Sequence, residues 1–206
     1  MPTTPTPNKV KYNLKNVYVA KLTETVSSGV TSYSYATPVA LPGAVSLSLS
    51  AEGETKPFYA DGIVYYRSVA NNGYSGDLEI AFVPDWFRKD ILGETEDTNK
   101  VLVENISQIT NTPFALLFEF DGDVRSIRHV LYHCTASRPA LESQTKEDGI
   151  EPVTEKLTLA ADPRSDGLVK AKTGDETTST VYAGWFSSVY VINGNAPSGS
   201  GGGSGG

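Results

Sequence analysis

Few of the 206 residues have the types and spacing that do chemistry. The two histidines, His129 and His133, stand four apart in "IRHVLYHC", a spacing that on a helix would bring both imidazoles to one metal. Their neighbours are β-branched and aromatic, however, and along a strand positions four apart lie ~13 Å from each other. Position 130 is valine rather than the glutamate of a zincin, so the pair is expected to be two polar-tipped sheet residues. "DPRSDG", residues 162 to 167, has the outline of a calcium loop. Arg164 occupies an oxygen-ligand position, though, and Thr173 stands where the final bidentate glutamate belongs, which leaves a turn. "GYSG" around Ser75 is one residue short of a nucleophile elbow and lies between strand-like runs. There is no phosphate loop, dinucleotide fingerprint or CxxC, and "NIS" at Asn105 is an idle glycosylation match without a secretory signal. No catalytic, cofactor-binding or metal-binding residue emerges. The expectation is a binding or structural protein, not an enzyme.

Composition narrows the classes further. With 17 basic and 24 acidic side chains the formal charge is -7, which disfavours tight binding to nucleic acid. Cys134 is the single cysteine, so no intrachain disulfide can form. No apolar run approaches the ~20 residues of a membrane span, and "MPTTPTPNKVKYN" lacks a signal-peptide core, so folding in a cytoplasm is expected. Residues 1 to 8 read as a flexible, proline-rich arm, residues 9 to 192 as one folded β-domain, and residues 193 to 206 as a Gly/Ser linker or tag remnant.

Period-2 patterning dominates between these ends. "NVYVAKLT" sets Tyr18, Ala20 and Leu22 against Val17 and Val19, and "AVSLSLSAE" alternates Val45, Leu47 and Leu49 with Ser46, Ser48 and Ser50. "GIVYYRSVA" and "YSGDLEIAFV" flank "NNG", a hairpin signal; in the second run Leu78, Ile80 and Phe82 oppose Asp77 and Glu79. "KVLVENI", "PFALLFEFDG", "SIRHVLYHCTA", "EKLTLAA" and "STVYAGWFSSVYVI" are further predicted strands, the last apolar on both faces. Many short strands separated by turns imply a mainly β fold, a β-sandwich or partial barrel. One short flanking helix interrupts it. Residues 85 to 92 have Asp85 as N-cap, Trp86, Phe87 and Ile91 as a buried apolar side, and Gly93 just past the end.

The order of these segments, with "FYADG", "DILG", "RPALESQTKEDGIEP" and "LTLAADPRSDGLVKA" in sequence, resembles the phi13-type major tail proteins of long, non-contractile-tailed bacteriophages, from about Lys9 to Ile192. That resemblance implies a virion protein without enzymatic activity or cofactor, made in the bacterial host cytoplasm. Six copies would close into rings, and the rings would stack into the tail tube that delivers DNA. Its partners would be the tape measure protein and transiently DNA in the lumen, with tail terminator and distal tail proteins at the ends. The competing reading is a non-enzymatic β-sandwich binding module, adhesin-like or carbohydrate-binding, that uses exposed members of the eleven tyrosines.

Two surfaces follow as expectations. Residues 51 to 62, with Glu52, Glu54, Lys56, Pro57, Phe58, Tyr59 and Asp61, are too long and too aromatic for a tight hairpin and are expected to form a ring-stacking loop. Ser46, Ser48 and Ser50, with Asp77 and Glu79, form a small, uncharged-to-acidic face suited to a lumen, because each lysine or arginine contacting phosphate would hold passing DNA back.

Overall fold

The computed structural model describes residues 6–107, 111–145 and 152–192. Its elements in chain order are β1 (Lys11–Ser27), β2 (Val30–Tyr35), β3 (Val39–Ala40), β4 (Ala44–Glu52), β5 (Thr55–Ala60), β6 (Ile63–Val69), β7 (Gly73–Ile80) and α1 (Asp85–Asp90). There follow β8 (Thr95–Glu96), β9 (Leu102–Val103), β10 (Phe114–Gly122), β11 (Ile127–Ala136), β12 (Glu155–Ala161), β13 (Lys170–Lys172) and α2 (Ser179–Ala183). The fold is mainly β. One large antiparallel sheet runs β2-β1-β10-β11-β12-β7-β4, with β3 paired to β1 and β13 to β11. It curls until β4 packs against β1, so the architecture is a partial barrel. Among the described residues no helix is long and apolar enough to cross a membrane.

Two apolar layers hold the sheet, one on each face. Alternation along β1 sends Val17 and Val19 into the curl with Leu78, Ile80, Leu116, Leu157 and Leu159, while Ala20 joins Leu117, Val130 and Tyr132 on the outer side. The central strand β10 is buried on both faces from Phe114 to Glu119, as the unbroken apolar run in its sequence requires. Glu119 is tolerated there because Arg128 Nε donates to it at 2.9 Å and Asn16 Nδ2 at 2.9 Å, meeting both carboxylate oxygens.

The outer layer is closed by residues 179–190, and this corrects the predicted last strand. "STVYAGWFSSVYVI" forms the five-residue helix α2 and a run of turns, making a second helix where one was expected. The segment is apolar because it is a lid. Trp185 and Val189 are buried against the sheet, Trp185 Nε1 donates to the His129 carbonyl at 3.2 Å, and Phe186 stacks on Tyr18 with ring centroids 5.0 Å apart. Burial without a ladder partner mimics the composition of a strand.

Smaller corrections share that cause, namely that tertiary pairing decides what local pattern leaves open. "KVLVENI" pairs only at Leu102–Val103. Phe82 lies beyond the end of β7 and is exposed, whereas the chain's turn into α1 buries Val83. Val45 is the extra residue of a bulge, between the Ala44↔Ile80 and Ser46↔Glu79 pairs, and it points to solvent while Ala44, Leu47 and Leu49 pack inward. The helix ends at Asp90 rather than residue 92, with Gly93 beyond it at φ 80°. Pro84 takes the N-cap position and no side chain caps the helix. Asp85 is instead its first residue, where a negative charge still favours the positive end of the dipole. Phe87 and Ile91, four apart, fill the core, whereas Trp86 is only half-buried at the helix flank, edge-on to Phe87 at 5.7 Å. Six helical residues present a single narrow face, which Phe87 occupies together with the C-cap residue Ile91.

Candidate functional site: a projecting hairpin and a polar strand face

The segment expected to be a ring-stacking loop is the outgoing half of a hairpin. β5 pairs with β6, and Asp61 at φ 51° and Gly62 at φ 76° make the two-residue turn between them. Both positive φ values fit a primed turn, for which Asp-Gly is a preferred pair. That dipeptide was the signal available in the sequence. "NNG", predicted to be the hairpin turn, instead leads the chain back into the sheet: Asn71 Oδ1 accepts from Gly73 N at 3.1 Å, and β7 pairs with β4 and β12, not with β6. Residues 44 to 80 are therefore one long ribbon. Its base, β4–β7, belongs to the barrel, and hydrogen bonds from Asn72 N to Glu52 O and from Ala70 N to Glu54 O carry the ladder outward into β5–β6.

The projecting part has apolar side chains on both faces. Phe58 opposite Tyr66 and Ala60 opposite Ile63 lie on one, Thr55 opposite Val69 and Tyr59 opposite Val64 on the other, with Tyr65 inserted at a bulge. None of the five largest is covered: Phe58 is 61% exposed, Tyr59 63%, Ile63 64%, Tyr65 71% and Tyr66 64%. An isolated two-stranded hairpin is marginal in water, and a flat apolar one is an association site. Of the charged positions, Glu54 and Lys56 pair with each other at 3.2 Å on the exposed surface, and Asp61 sits in the turn. Glu52 ends β4 and accepts from Ser75 Oγ. Pro57 faces Arg67 in the ladder.

The second group of expected site residues is brought together on one face. Ser46 pairs with Glu79, Ser48 with Asp77 and Ser50 with Ser75 across β4–β7; Lys156 and Thr158 of β12 extend the first two rows. Thr154 Oγ1 donates to Glu79 at 2.6 Å and Ser46 Oγ at 2.9 Å, and together they hold the Glu79 carboxyl below the usual range. Thr158 Oγ1 donates to Asp77 at 2.9 Å, and Lys156 Nζ stands 3.7 Å from the same carboxylate. Lys156 is the cation that sequence reasoning missed, since register with β12 cannot be read from local alternation. Gly76 lets β4 approach closely: a Cβ there would lie 2.0 Å from the Ser48 carbonyl oxygen. The face is thus a surface of hydroxyls and carboxylates on the outside of the barrel, with the exposed Lys156 among them.

The residues with catalytic outlines have structural roles. His129 stacks on Phe118 with centroids 5.0 Å apart, in a cavity of about 220 Å³ at the open mouth of the barrel, which Lys11, Tyr74 and Lys170 also line. Burial, with Lys172, Lys11 and Lys170 nearby, pushes its imidazole down to about 4. His133 instead meets Glu24 at 3.0 Å. Arg164 of "DPRSDG" lies over the Tyr33 ring at 3.9 Å and donates to Tyr35 Oη at 3.1 Å. The Cys134 thiol is wholly buried, and burial pushes it up to about 12. Among the described residues no group of three or more His, Cys, Asp or Glu is placed to hold a metal ion.

Asn8 fastens the end of the N-terminal arm: its Oδ1 accepts from Val124 N and Arg125 N, both at 2.9 Å. Residues 1 to 5 of the expected arm and 193 to 206 of the expected linker lie outside the described residues. No family model and no curated protein sequence matches this chain.

Proposed function

We propose that the chain is the major tail tube subunit of a long, non-contractile-tailed bacteriophage. Copies close into rings of six, and rings stack into the hollow tube that carries DNA into the host. The observation that supports this most is the projecting hairpin. A monomer would leave Phe58, Tyr59, Tyr65, Tyr66 and Val69 in water, whereas a subunit built for assembly covers them. Among the described residues two sheet edges, β2 and β4, also have no neighbour on the hydrogen-bonding path, and sheets continued between subunits remove such edges. The reading needs no active site.

In this reading the polar face of β4–β7–β12 lines the lumen. Duplex DNA presents one negative charge per ~1.7 Å, so a wall of hydroxyls and carboxylates, with Lys156 held beside Asp77, gives the genome few phosphate-binding wells. The tape measure protein would occupy the same lumen before ejection. Tail terminator and distal tail proteins would bind the tube ends, and the tail tube of the virion would be the protein's location. Electron microscopy of the concentrated, negatively stained protein tests the proposal. Rings or long hollow tubes are expected; a monodisperse monomer at every concentration would refute it.

A further inference from the structure

Phe118 and Phe120 stand two apart on β10, so strand alternation sends both rings into the curl of the sheet, and His129 of β11 lies opposite Phe118 in the ladder. The three rings form one cluster. His129 stacks on Phe118 at 5.0 Å, within 7° of parallel, and Phe120 meets each of them at 5.3 Å and 64°. Leu47 and Leu49 of β4 and Tyr74 of β7 line the same space. β4 packs against β1 without joining its ladder, so the curl stays open here around a cavity of about 220 Å³. A cavity of about 150 Å³ is enough for a benzene molecule, so this one admits a single ring carrying a small polar group.

Among the described residues that line it, Lys11 and Lys170 are the only charged ones. Lys11 Nζ lies 5.2 Å from the centre of the Phe120 ring and Lys170 Nζ 4.4 Å from that of Tyr74. Neither lysine forms an ion pair among the described residues. Carboxylates stand at the same end of the barrel, Glu52, Asp123 and Asp162 among them, yet none of these lines the cavity. His129 reports the same balance: burial first, then the cations Lys172, Lys11 and Lys170, push its imidazole down, so at neutral pH it is an uncharged third ring of the wall.

An apolar cavity with unpaired ammonium groups at its rim fits an organic anion, whose body is buried by the wall and whose charge is met by the lysines. Rings on the wall favour a ring in the ligand, because aromatic pairs gain edge-to-face contact beyond simple burial. We infer that the barrel mouth binds a small aromatic carboxylate. Its ring lies against Phe118, Phe120 and His129, and its carboxylate is held by Lys11 and Lys170 at the wet rim. The site is independent of the tail tube reading, and neither depends on the other.

Saturation-transfer NMR on the full chain, with benzoate as the probe, tests this. Benzoate is expected to bind saturably with a Kd of about 1 mM or tighter. Toluene, acetate and inorganic phosphate are expected to bind at least ~10-fold more weakly, and cyclohexanecarboxylate at least ~3-fold more weakly. The affinity for benzoate should fall as sodium chloride rises from ~20 to ~500 mM, since the carboxylate contacts lie at exposed lysines. Lys11→Met/Lys170→Met, which keeps the aliphatic stems, should weaken benzoate ~10-fold and leave toluene unchanged, with urea unfolding run beside it to check the barrel. No saturable benzoate signal up to ~20 mM would overturn the site. Benzoate bound no better than toluene or phosphate, or with a salt-independent Kd, would overturn the anion contact, and equal binding of cyclohexanecarboxylate would overturn the aromatic class. A folded double variant that binds benzoate like the wild type would remove the site from the barrel mouth. The salt and ligand series on the wild-type chain decide the matter even for a double variant that does not fold.

Discussion

The two halves of one ribbon, residues 44 to 80, differ in how they treat water. The base, β4–β7, alternates: Leu47, Leu49, Leu78 and Ile80 pack into the curl while Ser46, Ser48, Asp77 and Glu79 face outward. The projecting half, β5–β6, continues the same ladder but places apolar side chains on both faces and buries none of them. Alternation marks a strand whose core face is completed within the chain. Its loss, in a segment with no core on either face, marks surroundings that another molecule must supply.

That contrast can be broken first at the fold. Phe87, fully buried beneath the base of the ribbon, should cost ~3 to 5 kcal/mol when replaced by alanine, read as a lowered urea midpoint. An effect below ~1 kcal/mol would mean that α1 is not part of the core. Trp86→Ala should cost roughly half as much, ~2 kcal/mol, because that ring is half-buried and leaves part of its surface in water already. Equal losses for the two would remove the distinction between the core face and flank of the helix.

A pH effect should come next. The folded-state proton affinity of His129 is depressed from 6.5 to about 4, so the unfolded chain binds this proton more readily. The corresponding stability is fully present above about 6.5 and is lost as pH falls toward 4. The stability difference between pH 7 and pH 4.5 should shrink in His129→Phe, with Lys11, Lys170 and Lys172 still facing the site; an unchanged difference would assign the loss to other groups. The smallest effect belongs to the polar face. Ser46→Ala removes one exposed hydrogen bond to Glu79 and should change stability by no more than ~0.5 kcal/mol. A larger loss would make that face part of what holds the fold together.

Much of the barrel was legible because its strands alternate or are apolar throughout: "EKLTLAA" is β12 residue for residue, and β10 and β11 fall within their predicted segments. The five candidate lumen residues do share a face, since period 2 fixes sides even when partners are unknown. Partners were less legible. "NNG" and Asp61-Gly62 are both acceptable turn chemistry, and only long-range pairing of β7 with β12 and β4 decides between them. The lid formed by residues 179–190 was hidden for the same reason, since its aromatics report burial and not the geometry that provides it.

The central claim is that the projecting hairpin serves assembly and not the fold. Sedimentation velocity of Phe58→Ser/Tyr66→Ser beside the wild-type chain addresses it directly, with urea unfolding run on both. Stability within ~0.5 kcal/mol of wild type, together with loss of every species larger than a single ring, is the expected result for exposed positions that work only between molecules. Large assemblies of wild-type size formed by the double variant, or a chain that no longer folds, would contradict it.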